Sequence, residues 1–231
     1  MAHIEKRPSG RWKARYRTPD GRARSRTFDR KADAERFIIG IEHSKLMGDY
    51  VDPGAGKVSF RTFAEQWRAV QLHRPGTAIS AEHQLRLHVY PYIGHRPIAA
   101  IRPSELEAMV HHLAVKLAPA TIRTIFGRVV TVFRAAVRDR VIPTSPCVGI
   151  RLPPQKPPSL LTVLTTADVL AMAGAVSERY AALIMFGAAT GLRPGELFGL
   201  TQDRVRFLSR SVIVDRQLVR VTNGIGIGPL T

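Results

Sequence analysis

The sequence predicts a multidomain α+β protein, with a small N-terminal β-sheet plus a helix, an all-α four-helix domain and a C-terminal part that mixes helices with short strands. Three patterns in the sequence support this fold class. Alternating residues flank a Pro-Asp-Gly turn near the N-terminus, apolar residues recur at helical spacing in the middle, and short β-rich runs follow two helices at the end. The expected boundaries of the three parts are residues 1–50, 58–150 and 159–231.

The charge of the chain indicates a polyanionic partner. The 231 residues include 35 Lys and Arg against 18 Asp and Glu, a formal net charge of +17. Nucleic acid or an anionic membrane surface would satisfy this charge. The start of the chain has no apolar signal region, and the longest uncharged apolar stretch, residues 180–192, is too short to cross a bilayer. The simplest interpretation is a cytoplasmic protein, and the charge alone does not choose between nucleic acid and an anionic membrane surface as its partner.

No metal or cofactor is expected from the residue types. Cys147 is the only cysteine, so neither a disulfide within the chain nor a cysteine-rich zinc site can form. The eight histidines lack carboxylates at the spacing of metal ligands, and the sequence contains no G-x-x-x-x-G-K-[ST] phosphate-binding loop.

The N-terminal part reads as a β-hairpin followed by a helix. Apolar Trp12, Ala14 and Tyr16 alternate with basic residues, and Thr18-Pro19-Asp20-Gly21 supplies the turn. Asp29 is the expected N-cap of a helix from about Arg30 to Lys45. The expected DNA-binding residues of the hairpin are Arg15, Arg17, Arg22, Arg24 and Arg26. A solvated basic surface is the alternative interpretation, but such dense like charge favours phosphate binding.

The middle part reads as four helices. Their expected ranges are residues 60–71, 77–90, 103–116 and 119–139. In the last of them, Arg123, Arg134 and Arg138 fall within about 60° on a helical wheel, opposite an apolar stripe. Such a row is common on any solvated helix, and contact with DNA is an equally good interpretation.

Chain breakers separate the three parts. Residues 50–56, YVDPGAG, read as a linker, and six prolines between Pro143 and Pro158 predict an extended tether. Beyond the tether, residues 165–168 open a helix, residues 178–189 form a second one, and strands are expected at residues 205–208, 211–214 and 217–221. The last residues, NGIGIGPLT, read as a turn or loop.

The segment ATGLRPGELFGL, residues 189–200, contains a charged pair after an apolar run. Arg193 needs an anion if it is buried, and Glu196 could supply one at a spacing of three. We interpret Gly191 and Gly195 as positions that keep bulk away so that a large ligand can reach the backbone. A guanidinium placed there could hold two phosphate oxygens and stabilise the charge of a phosphoryl-transfer transition state.

The segment TGLRPGELFGLTQDRVRF resembles the first catalytic motif of the tyrosine recombinases, the phage integrase family, in which T-G-x-R-x-x-E carries the first active-site arginine. Residues 58–150, with HVYPYIGHRPIAAIRPSELE, are similar to the helical core-binding domain of that family, and residues 1–50 resemble its arm-type DNA-binding domain. The resemblance implies that residues 159–231 are the N-terminal part of the catalytic domain. It also implies that Arg193 is catalytic and that Glu196 supports the motif. The expected partner is then double-stranded DNA and not a membrane, with self-assembly on DNA as a tetramer.

The family pattern continues with a lysine, an H-x-x-R motif and a nucleophilic tyrosine, none of which follows Thr231 in this sequence. All five tyrosines precede Arg193. The resemblance therefore implies a site-specific DNA recombination protein that exchanges strands through a 3′-phosphotyrosine, here expected to bind DNA while lacking the nucleophile. The alternatives are a non-enzymatic DNA-binding regulator of recombination or excision, and a basic RNA-binding protein.

Overall fold

The computed structural model describes residues 2–48, 50–155, 162–221 and 224–230. These residues form two compact units, one of Met1–Gln71 with Gln84–Pro154 and one of Leu72–His83 with Gln155–Thr231. The first unit contains a three-stranded sheet, its covering helix and most of a helical bundle. The second contains the first part of one helix of that bundle, three further helices and two small sheets. The protein is therefore a multidomain α+β protein.

The N-terminal sheet has three antiparallel strands, β1 (His3–Lys6), β2 (Trp12–Arg17) and β3 (Ala23–Phe28), in the order β1-β2-β3. The hairpin of β2 and β3 is the predicted one. Its turn is closed by the amide of Gly21, which donates to the carbonyl of Thr18 at 2.9 Å, and Gly21 has φ +82°, which disfavours a residue with a side chain. The first strand was not predicted.

Helix α1 (Lys31–Met47) covers one face of this sheet. Ala34 and Ile41 of this helix are buried, and the rings of Tyr16 and Phe37 lie edge to face with centroids 5.6 Å apart. The predicted cap was wrong by one residue, because Arg30 occupies the N-cap position and makes no side-chain cap bond. Asp29 instead accepts a hydrogen bond from Nε of Arg11 at 2.8 Å, which ties the helix entry to the sheet.

The predicted linker is packed against its neighbours at both ends. Tyr50 is 5% exposed and lies in a cluster with Tyr16 and Ile41 of the N-terminal sheet and helix. Gly56, in a short 3-10 turn at Ala55–Lys57, is buried, and a Cβ there would lie 2.4 Å from the Cβ of Ala99. Residues 50–56 therefore connect the sheet and the helical domain through a linker whose two ends are packed against its neighbours.

The helical domain contains α2 (Phe60–Ala69), α3 (Pro75–His88), α4 (Pro103–Ala114) and α5 (Pro119–Arg138). All four predicted helices are present, with ends within two residues of those expected. A π-helical turn at Tyr90–Gly94 and a 3-10 turn at Ile98–Ala100 connect α3 to α4. The N-cap of α4 is Arg102, whose amide donates to Oε2 of Glu105 at 2.9 Å.

The core of the helical domain forms around the apolar stripe of α5. Phe60 and Phe133 are fully buried, with ring centroids 5.2 Å apart, and Leu106 of α4 is also fully buried in this cluster. The buried residues of α5 are Ile122, Ile125, Phe126, Val129, Val132, Phe133, Ala135 and Ala136. A one-sided apolar pattern thus fixes which face of α5 turns inward.

Only part of the predicted proline tether lies within the described residues. Ile150 and Leu152 pack against the helical core, so the chain leaves that domain after these residues. Residues 156–161, which include Pro157, Pro158 and the predicted domain start at residue 159, lie outside the described residues.

The C-terminal segment contains α6 (Thr166–Ala175), α7 (Glu178–Thr190) and α8 (Pro194–Gly199), then strands β4 (Val205–Arg206), β5 (Ser211–Val212), β6 (Arg216–Val221) and β7 (Gly224–Pro229). Strands β4 and β5 pair, and β6 pairs antiparallel with β7. The interpretation of the final residues as a loop was wrong. Ile225 and Ile227 alternate with glycines that pair with Val221 and Val219, so β7 extends despite its low β-propensity.

Candidate nucleic-acid interface

The face of the N-terminal sheet that points away from α1, here called the outer face, is basic. Side chains alternate along a strand and cross-strand partners share a face, so Lys13, Arg15 and Arg17 of β2 lie together on it. Opposite them on β3 lie three small residues, Thr27, Ser25 and Ala23, all exposed. Three cations beside small side chains, two of which bear a hydroxyl group, form an open surface that a polyanion could approach.

Two of the predicted DNA-binding arginines lie on the inner face of the sheet, which packs on α1. Arg26 is the cross-strand partner of Ala14, and its guanidinium carbon lies 5.2 Å from the ring centroid of Phe28 and 5.3 Å from that of Phe37. Arg24 is the partner of Tyr16, and its Nη2 lies 3.1 Å from Oδ2 of Asp52. Both side chains therefore contact the protein itself, on the face opposite Arg15 and Arg17.

Arg22 lies in the turn and belongs to neither face. Its Nε is 3.0 Å from Oδ2 of Asp20, and 75% of its side chain is exposed. The five arginines predicted from the hairpin are thus divided by the structure into two on the outer face, two on the inner face and one at the tip. The sequence could not separate them, because the register of β2 against β3 decides which alternating positions share a face.

The arginine row of α5 is a second exposed basic surface. Arg123, Arg134 and Arg138 are all exposed, on the side of α5 away from the buried stripe. Gly127 and Thr131 lie between them on the same side and are also exposed. The one anion that contacts the row is Asp139, whose Oδ1 lies 3.0 Å from Nε of Arg138 among the described ion pairs.

Arg193 is exposed at the beginning of α8. Its side chain is 78% exposed, whereas that of Glu196 is only 14% exposed. Oε2 of Glu196 accepts the backbone N–H of Arg193 at 2.9 Å, and Oε1 accepts Nη1 at 3.0 Å. The backbone and side-chain hydrogen bonds from Arg193 hold the pKa of Glu196 below its usual value. The carboxylate thus fixes the direction of a guanidinium that keeps most of its surface open to an oxyanion.

The glycines of this motif have structural roles that the sequence interpretation missed. Gly191 ends α7 with φ +67°, where its N–H donates to the carbonyl of Gly187. A Cβ on Gly195 would lie 3.1 Å from the carbonyl oxygen of Leu218, and one on Gly199 would lie 2.7 Å from Cα of Gln217. Gly195 and Gly199 therefore permit α8 to pack closely on β6, and ligand access is not needed to explain them.

Two residues of the outer face were missed in the sequence. Strand β1 places His3 opposite Arg15 and Glu5 opposite Lys13. Oε1 of Glu5 accepts Nε of Arg15 at 3.0 Å and lies 2.9 Å from its Nη2. The alternation of Ile4 between polar residues was the available signal for this strand, although four residues are too few to establish a period.

The remaining chemistry of the described residues is limited. They contain no group of three His, Cys, Asp or Glu side chains placed to hold a metal ion. Burial raises the pKa of the Cys147 thiol to about 11, so it is protonated at neutral pH. Within the described part of the chain, no helix has the length and apolar character needed to span a bilayer.

Two family models match this chain. The model of the phage integrase N-terminal domain matches residues 3–47, and that of the phage integrase central domain matches residues 60–152. Together the matched segments include more than half of the chain. The chain belongs to the phage integrase family. The first match covers the sheet with α1, and the second covers the whole helical domain.

Curated relatives include integrases of mycobacteriophages and prophages. The chain is 26% identical to the integrase of Mycobacterium phage D29 over 208 residues, which are 85% of this chain and 54% of that protein. It is 24% identical to the phiRv2 prophage integrase of Mycobacterium tuberculosis over 225 residues, 94% of this chain and 59% of that protein. The chain thus spans little more than half the length of these relatives.

Solved structures share the fold. The Tn1549 transposon integrase in complex with circular intermediate DNA aligns with a TM-score of 0.63 at 23% identity, over 74% of this chain and 59% of that one. A lambda integrase tetramer bound to a Holliday junction aligns with a TM-score of 0.57 at 17% identity, over 98% of this chain and 68% of that one. At these identities the likeness concerns the fold alone.

Proposed function

We propose that this chain binds duplex DNA in site-specific recombination, through the outer face of the N-terminal sheet and the arginine row of α5. The observation that carries the proposal is the segregation of charge on the sheet, where Lys13, Arg15 and Arg17 line one exposed face. Cations spaced along a strand neutralise successive phosphates and release counterions, which drives binding to nucleic acid. In this proposal Arg24 and Arg26 support the sheet instead of contacting DNA.

Arg193 is proposed to hold the scissile phosphate. A guanidinium can donate two parallel hydrogen bonds to phosphate oxygens and retains its charge at any working pH. Because Glu196 fixes the orientation of Arg193 before DNA binds, the charge that develops on phosphorus would meet a preorganised donor. The side-chain exposures of 78% for Arg193 and 14% for Glu196 support these two roles.

The proposed domain roles follow the family. Residues 1–50 are proposed as an arm-type DNA-binding domain, residues 58–150 as the core-binding domain, and residues 159–231 as the N-terminal part of the catalytic domain. Strand exchange through a 3′-phosphotyrosine and assembly on DNA as a tetramer are proposals for the protein as a whole. No tyrosine of the 231 residues is proposed as the nucleophile. We also propose a cytoplasmic location, where DNA is the available polyanion.

Duplex binding as a function of salt tests the proposal. The slope of log K against log salt should decrease by about 0.9 for each phosphate that the protein no longer neutralises. We expect Lys13→Ala with Arg17→Ala to reduce the slope by up to about two such steps. The matched control is Arg24→Ala with Arg26→Ala, which removes the same charge from the inner face and should leave the slope nearly unchanged. An unchanged slope in the first variant, or tighter binding of structured RNA than of duplex DNA at equal salt, would contradict the proposal.

A nicked duplex that traps covalent intermediates tests the assignment of the chemistry. The chain should form no covalent adduct with such DNA, since its five tyrosines all precede Arg193 in the sequence. A stable protein–DNA adduct on a denaturing gel would overturn this part of the proposal and leave the binding surfaces unaffected.

A further inference from the structure

The outer face of the sheet contains one carboxylate among its cations, and this carboxylate is engaged. Oε1 of Glu5 accepts Nε of Arg15 at 3.0 Å and lies 2.9 Å from Nη2 of the same guanidinium. The Glu5 side chain is 37% exposed and that of Arg15 is 50% exposed, so the pair lies at the surface. His3 is on the same side, with Nε2 3.9 Å from Oε2 of Glu5.

A carboxylate in this position is unfavourable for simple phosphate binding. It neutralises one of the cations and repels the backbone of any nucleic acid that approaches the face. The same face has two other cations, Lys13, which is the cross-strand partner of Glu5, and Arg17. A surface that only had to attract polyanions would be stronger without Glu5, which indicates a task that needs orientation as well as charge.

We propose that Glu5 is a positioning residue that makes Arg15 a base-reading side chain. This inference rests on the proposed DNA binding by the outer face. A carboxylate that accepts hydrogen bonds from Nε and one terminal nitrogen restricts rotation of the guanidinium. The remaining N–H groups of the guanidinium can still donate to O6 and N7 of guanine in the major groove. The small side chains of Ser25 and Thr27 on β3 let base edges come close to the sheet, and a β-ribbon fits the width of that groove. Lys13 and Arg17 then act as phosphate contacts that carry no sequence information.

Selection from duplexes with a randomised central segment tests this role with the full 231-residue chain. We expect the wild-type chain to enrich a motif that contains a preferred G·C pair. Glu5→Gln, which keeps the shape and removes the charge, and Arg15→Lys, which keeps the charge and removes the planar fork, should both show a preference reduced about tenfold at that same pair. Glu5→Gln should in addition bind unselected duplex DNA as tightly as the wild-type chain or up to a few-fold more tightly, because this variant has one negative charge fewer on the outer face.

The matched control is Glu35→Gln. Glu35 is also an exposed, ion-paired glutamate of the N-terminal domain, with Oε1 3.2 Å from Nζ of Lys31, but it lies on α1 and not on the outer face. This variant should keep the selected motif unchanged. A merely structural role for Glu5 predicts equal effects of the two substitutions, so the control separates positioning from removal of a surface ion pair.

The possible results separate this inference from the proposed function. A reduced preference at the same base pair in Glu5→Gln and Arg15→Lys supports the inference. An unchanged motif in both variants, changes at unrelated positions, or weaker binding of unselected DNA by Glu5→Gln overturns it. Wild-type chain that binds DNA tightly with no enriched motif also overturns it but leaves the proposed function intact. Absence of duplex binding by the wild-type chain would instead overturn the proposed function.

Discussion

The helical domain and the C-terminal segment use similar apolar content in different ways. Helix α5 buries eight of its residues and turns its arginines outward, whereas none of the thirteen residues of α7, all of them described, is buried. The apolar residues of α5 recur on one side, and those of α7 are distributed around the helix. The comparison teaches that a one-sided pattern decides burial, and that apolar content by itself does not.

Truncation of one phenylalanine in each region should give the largest difference. Phe133→Ala removes a fully buried ring from the helical core and should lower the free energy of unfolding by about 3–5 kcal/mol. Phe186→Ala removes a half-buried ring of α7 and should cost about 1 kcal/mol. Urea unfolding, with Trp67 fluorescence for the helical domain and pulse proteolysis for both regions, measures each effect. Equal destabilisation by the two substitutions would break the comparison.

Substitution of two closely packed glycines, one in each unit, should show that both units contain a contact with no room for a methyl group. Gly56→Ala in the first unit and Gly199→Ala in the second place a Cβ 2.4 Å from Ala99 and 2.7 Å from Gln217, respectively. Each should destabilise its own region by about 1–3 kcal/mol. The control is Gly127→Ala in the exposed middle of α5, where nothing lies within 4 Å, and it should stabilise by about 0.5–1 kcal/mol. An unchanged free energy of unfolding in Gly199→Ala would mean that α8 does not pack on β6 in solution.

The arginines of the two regions should differ in their effect on DNA binding. Arg123→Ala with Arg134→Ala should reduce the salt slope by up to about 0.9 for each phosphate that these side chains neutralise. Arg193→Ala should change the overall affinity for DNA less than about twofold, because a single phosphate contact contributes little when many others remain. Fluorescence anisotropy with duplex DNA across a salt series gives both values. A large drop in affinity in Arg193→Ala would make that residue a main docking contact.

The smallest expected effect is the acid sensitivity of α6. The hydroxyl and the backbone N–H of Thr165 both donate hydrogen bonds to Asp168. These two bonds, the hydroxyl bond more strongly, lower the pKa of the Asp168 carboxyl below its ordinary value of 3.8. A depressed folded-state pKa means that the stabilisation is present above pH 3.8 and disappears as the pH falls through the lower, folded value. Circular dichroism from about pH 5 to about pH 2 should show a larger loss of helix in the wild type than in Asp168→Asn, in which the other carboxyl groups still titrate. Ser59 caps α2 with a hydroxyl that does not titrate here, so α2 should not share the effect.

Much of the fold follows from patterns within single elements. The 3.6-residue period of α5 and the Pro-Asp-Gly turn after Tyr16 each determine a local conformation, and the structure contains both. The local predictions that were wrong concern single positions where two neighbours compete, such as Asp29, which bonds Arg11 instead of capping α1. The residues of β7 predict a loop because glycine has no side chain to report a pattern, and the extension of this strand depends on pairing with β6.

The candidate site was only partly predictable. The pairing of Arg193 with Glu196 follows from their spacing of three, which the sequence displays, but the helix start at Pro194 was not predicted. The division of the hairpin arginines does not follow, since the alternation of β2 is visible but the register of β3 against it is not. The sequence therefore grouped Arg24 and Arg26 with Arg15 and Arg17, whereas their cross-strand partners, Tyr16 and Ala14, place them on the opposite face of the sheet.

The sequence by itself determined the charge of the protein, which depends on composition alone. It also determined the approximate positions of helices α1–α7 and the motif that contains Arg193, because these depend on residues that are close together along the chain. Tertiary structure alone decided which side chains share the outer face of the sheet, that Glu5 bonds Arg15, and that Tyr50 and Gly56 are buried at the two ends of the linker. These features depend on contacts between strands and domains, where a shift of one residue in register moves every side chain to the opposite face.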